Sequence, residues 1–233
     1  EAPTTGAPMT IDSVVQKGAI TLGVVFLAAI ATWIMTPDIS SDANLAPLYL
    51  AATLGAGAAF ILSLVNSFKR VVSPALVLAF ALAEGIALGA LSKTFDALFG
   101  GGIVVQAVIG TFAAFAGTLA AYKFFNIKVG SKFRTFVIAA MFGMVGLSLM
   151  ELVLGMFGAS LGLFGFGTLG MITAIAGLAL GVFMLILDFD QIEYGIRAQL
   201  PERESWRAVF GLTVSLVWIY TNLLRLLAIF QQD

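Results

Sequence analysis

Asp188, Asp190 and Glu193 place three carboxylates within six residues at the end of a long apolar run, and Glu84 stands inside another. Glu151 lies late in a third run. Asn222 and Arg225, three residues apart in a fourth, share one helical face. Charged groups in such surroundings cost about 3 kcal/mol or more apiece at the centre of a bilayer, unless they are paired or line a wet cavity. Carboxylates placed there can bind cations, hand on protons or neutralise a buried guanidinium. The rest of the reactive repertoire is missing, because the chain has neither Cys nor His. That removes thiol nucleophiles, disulfides, thiolate metal sites and imidazole acid–base chemistry. A Ser–His hydrolase is impossible. An aspartyl protease needs a second facing acid, which the last apolar run lacks, and a retinal Schiff base needs a Lys there, but none follows Lys132. The chain is read as not an enzyme, with no resident cofactor.

The elements that hold these groups must cross a membrane. Hydrophobic residues make up 60% of the 233 and charged ones 11%, where a soluble domain carries roughly 25% charged residues. A transmembrane helix needs about 20 mostly apolar residues. The segments that meet this are Val14–Met35, Leu48–Phe68, Pro74–Leu91, Ile103–Phe125, Phe133–Phe157, Leu169–Leu187 and Ala208–Phe230. Turn chemistry or charge separates them, and Ser73-Pro74 is a good helix start. The expected fold is therefore an all-α integral membrane protein of seven helices, one transmembrane domain over 13–233 after a flexible tail, 1–12. That tail has no basic region, and the apolar stretch behind it is too long for a signal peptide.

Ten of the twelve Lys and Arg residues fall on one side of such a seven-span chain: Lys17, Lys69, Arg70, four between Lys123 and Arg134, and three between Arg197 and Arg207. Lys93 is on the other side and Arg225 is inside the last span. The positive-inside rule then puts the N-terminus in the cytoplasm and the C-terminus outside. A net charge of −1 gives no reason to expect nucleic acid.

Two small-xxx-small pairs, Gly85/Gly89 and Gly177/Gly181, suit close helix packing. Gly165 to Gly170 has the spacing of a dinucleotide fingerprint but no preceding strand, and is read as a loop entering the sixth helix. Glu84 has two readings, a helix–helix contact or a group lining an ion or proton path. Asp188 follows directly on an apolar run, and the spacing of Ile192 and Ile196 suggests that the helix continues past it. Arg225 could reach outward or pair with Glu151 or Glu84.

Three stretches together resemble a known family. Ala79 to Gly89, centred on Glu84-Gly85, is similar to the acidic-glycine motif in the third helix of the Bax inhibitor-1 (transmembrane Bax inhibitor motif) family. Leu187 to Glu193 resembles its sixth-helix aspartate motif, and Leu216 to Leu227 its C-terminal helix. The resemblance runs from Met9 to Phe230 and is nearest to the bacterial branch. It implies a bundle around a central last helix, in a multi-pass protein of a bacterial plasma membrane. It also implies a pH-modulated cation (calcium) leak, in which acids on the sixth and seventh helices share a proton and gate a pore. Two close carboxylates cannot both ionise cheaply, which makes such a pair sensitive to pH.

On this resemblance Asp188 matches the sixth-helix acid, with Asp190 the alternative, and both are candidate ligands for transient calcium. The seventh-helix acid falls on Asn222, which cannot titrate, so that an Asp–amide hydrogen bond takes the place of the pair. The resulting pH dependence is expected to be shallow, and to steepen in Asn222→Asp. Glu84 joins the ion path, with Arg225, Glu151, Lys69 and Arg70 as supporting charges. The partners implied are the lipid bilayer and calcium or other cations. The alternative function is a regulatory protein that moves no ions and binds another membrane protein, such as a protease or receptor.

Overall fold

Thr10 and Ser13 begin the first helix by exchanging hydrogen bonds: each side-chain oxygen accepts from the other's amide, both at 3.0 Å. A reciprocal cap of this kind satisfies donors that a helix start leaves without partners. The helix, α1, spans Ile11–Met35 in the computed structural model, which describes residues 7–39 and 45–232. After it come α2 (Leu45–Phe68), α3 (Pro74–Phe99), α4 (Ile103–Phe124), α5 (Ser131–Met156), α6 (Thr168–Arg197) and α7 (Glu204–Phe230). All 7 helices are long and apolar enough to cross a bilayer, and no strand occurs among the described residues. The fold is an all-α, seven-helix membrane protein. Half of the most apolar window of α7 is buried, against 11% to 22% for α1, α2, α4 and α5. Those four keep most of their apolar surface for lipid, while α7, like α3 and α6, is more enclosed by protein.

The packing divides into two compact units. The first comprises Glu1–Gly100 and Gln191–Thr213, the second Gly101–Asp190 and Val214–Asp233. In the first, small residues let three backbones approach closely. A Cβ on Gly85 would lie 2.5 Å from the Val25 carbonyl of α1, and one on Gly89 2.5 Å from that of Ala29. Gly55 of α2 meets α3 in the same way, 2.9 Å from the Ala87 amide.

Helix α3 runs past the expected end at Leu91 and takes in Lys93, which is buried. Its ammonium donates to the carbonyls of Trp33 (2.8 Å) and Thr36 (2.6 Å) at the end of α1. The exposed carbonyls of a helix C-terminus are natural acceptors for a cation. That pairing is what lets a charged residue lie inside the helix.

Of the tail expected over 1–12, residues 1–6 lie outside the described residues. Ala7 to Thr10 are pinned to the α6–α7 connection. The Met9 amide donates to the Leu200 carbonyl (2.8 Å), and the Glu202 amide to that of Ala7 (3.0 Å). Met9 is buried with Val14 and Val209, and Lys17 pairs with Glu202 at 2.9 Å. Ile192 and Ile196 pack on the same cluster, which explains why α6 continues to Arg197 rather than ending at Leu187.

In the second unit Val137 of α5 packs with Leu180, Met184 and Leu187 of α6. Phe189 lies against Phe115 and Tyr122 of α4. Within this unit α6 and α7 run antiparallel. Gly177 faces Asn222, and Gly181 faces Ile219 and Trp218.

Candidate functional site

Leu187 and Phe189 are buried on either side of Asp188, so the helix that buries them carries the carboxylate into the protein between them. Asp188 is half-buried, and its Oδ2 accepts a hydrogen bond from Ser215 Oγ of α7 at 2.5 Å. Ser215 itself is almost wholly buried. The contact holds one titratable group and one hydroxyl. A carboxylate can accept several hydrogen bonds, whereas a single neutral donor brings no opposing charge.

Asp190 is two residues further along α6 and so about 200° around it, on another face. There it pairs with Arg134 Nη2 of α5 at 2.7 Å. The structure thus does not gather Asp188 and Asp190 into one calcium ligand set. Among the described residues no three acidic side chains are placed to share a metal ion. Glu84 is half-buried on α3. It shares a stripe with Phe80, one turn earlier, whose ring meets Phe210 of α7 edge-on at 5.0 Å.

Lys69 and Arg70 contribute their carbonyls, which accept from Arg207 Nη2 at 3.2 and 3.0 Å just beyond the end of α2. Glu151 organises the α5–α6 connection, its two oxygens taking the Leu161 amide (2.9 Å) and Ser160 Oγ (3.3 Å). It does not pair with Arg225.

Asn222, read as the partner of Asp188, instead faces Gly177 and Arg225. Its Nδ2 donates to the Trp218 carbonyl (2.8 Å), and its Oδ1 accepts from Arg225 Nη2 (3.2 Å). Trp218 Nε1 in turn donates to the Gly177 carbonyl at 2.7 Å. Gly177 leaves room for this amide, since a Cβ there would lie 2.6 Å from Asn222 Oδ1.

The residue that meets Asp188 is Ser215, which was not singled out from the sequence. The signal was available in the α6–α7 hairpin. Counting equally in both directions from the turn at Leu200-Pro201 sets Asp188 opposite the turn of α7 that carries Thr213 and Ser215. The same count sets Asn222 near Gly177, almost two turns away. A hydroxyl on an apolar helix looks like any other Ser until that register is known.

Fold and site together define a multi-pass α-helical membrane protein with a carboxylate–hydroxyl contact between its last two helices. The family model described as Bax inhibitor 1 like matches residues 1–232, and the chain belongs to that family. A search of curated proteins found no match.

Proposed function

We propose that this protein is a pH-modulated cation leak channel or transporter that passes calcium, gated where α6 meets α7. The observation that carries the reading is the Asp188–Ser215 contact. An ionisable group inside a membrane helix marks an ion or proton path by default, since burying it costs stability that packing alone would avoid. A contact between two helices is also one that a helix movement can make or break. Protonating Asp188 changes the contact from a carboxylate accepting one hydrogen bond to a neutral pair of hydroxyl-bearing groups. Flux then follows pH through one proton. Glu84, half-buried on α3, is a further carboxylate that can carry cations or protons. The protein lies in a bacterial plasma membrane with its N-terminus and basic loops in the cytoplasm, as the charge asymmetry supports.

Purified protein in calcium-loaded liposomes tests this. Wild type should release calcium at a rate that changes with pH, and Asp188→Asn should make the rate independent of pH. A folded wild-type protein that releases no calcium at any pH would favour the regulatory, non-transporting alternative.

A further inference from the structure

Arg225 lies inside the apolar α7 and is buried, as is Asn222 beside it. Of the five N–H donors of its guanidinium, one is engaged by Asn222 Oδ1. The Phe164 ring from the α5–α6 connection covers the cation at 5.3 Å. The Nε–H is buried with no acceptor. The carboxylates described in the second unit are all engaged elsewhere: Asp188 by Ser215, Asp190 by Arg134, and Glu151 by Leu161 and Ser160. Among the described residues, this buried guanidinium is held by one amide oxygen and one aromatic face and meets no opposing charge of the kind such a group ordinarily requires.

The arrangement around it is nonetheless built rather than incidental. Trp218 is anchored on Gly177, its carbonyl fixes the Asn222 amide, and the amide oxygen is thereby turned to Arg225. Gly177 leaves the room that Asn222 occupies. A planar guanidinium with a free Nε–H matches the geometry of an oxyanion, which accepts two parallel hydrogen bonds and supplies the missing charge. We propose that Arg225 is an anion-binding residue that takes a phosphate group between α7 and the Phe164 connection. The phosphate comes from a lipid headgroup or from free inorganic phosphate. This site is independent of the calcium path, and its presence or absence leaves that reading untouched.

The experiment compares wild type with Asn222→Asp, in which an internal carboxylate replaces the amide against Arg225 and occupies the site. Inorganic phosphate is titrated against the thermal unfolding of each protein in detergent. Retention of phosphatidylglycerol is measured in parallel by native mass spectrometry. Wild type should be stabilised by phosphate, or retain the lipid, or both, and the first two outcomes distinguish the source. Asn222→Asp should bind at least ten-fold more weakly in whichever arm responds. Arg225→Gln, where it folds, should lose the response completely. Equal binding by wild type and Asn222→Asp, or a wild type that binds neither phosphate nor the lipid, would overturn the assignment.

Discussion

Ser215 Oγ of α7 donates to Asp188 Oδ2 of α6 at 2.5 Å, and Asn222 lies nearly two turns further along α7, against Gly177 and Arg225. The polar contact at Asp188 is therefore one acid with one hydroxyl. Its proton stoichiometry differs from that of two carboxylates.

Ser215→Asp should convert the single acid into a coupled pair. Two carboxylates at this separation share a proton, and their titrations merge into two macroscopic steps. Calcium flux in liposomes should respond to pH in a single step of about one proton in wild type and in two separated steps of about one proton each in the variant. A single unchanged step in folded Ser215→Asp protein would show that this contact does not control flux.

Asn222→Asp should leave the pH profile of flux at its wild-type slope, because the new carboxylate meets Arg225 rather than Asp188. This reverses the outcome expected when Asn222 is taken as the acid's partner. A second titration step in this variant, measured in the same liposome assay, would place Asn222 on the gating contact after all.

Gly89→Ala should destabilise the protein by about 1–3 kcal/mol, the usual cost of overpacking, because its Cβ would lie 2.5 Å from the Ala29 carbonyl and a backbone atom cannot turn aside. Gly57→Ala is the control. Nothing lies within 4 Å of a Cβ there, so the better helix former should be neutral or stabilising by up to about 1 kcal/mol. Thermal unfolding in one detergent compares the two, and an equal loss in both would show that the α1–α3 approach is not tight.

Lys93→Met should cost about 1–3 kcal/mol by leaving the Trp33 and Thr36 carbonyls without their buried donor. A melting temperature equal to that of wild type would mean that other donors reach the end of α1.

Much of the fold is legible in the sequence because lipid imposes a simple rule: a long apolar run with its backbone satisfied internally is a helix. Ser73-Pro74 marks the start of α3, and Gly85/Gly89 marks its approach to α1. What escapes is whatever depends on a partner from elsewhere in the chain. Lys93 looks like a loop cation until the carbonyls of α1 are placed around it. Met9 looks like part of a tail until Gly195 and Leu200 lie beside it. The site shows the same division. Asp188 is conspicuous as an acid on an apolar run, whereas Ser215 gains its meaning only from the register of α6 against α7.

Whether Asp188 with Ser215 sets the pH response of a cation leak can be read from a single flux experiment. Calcium efflux from proteoliposomes is followed through stepped pH for wild type, Asp188→Asn and Ser215→Asp. Wild type should show a response of about one proton, Asp188→Asn none, and Ser215→Asp two separated steps. A full wild-type pH response in folded Asp188→Asn protein would contradict this.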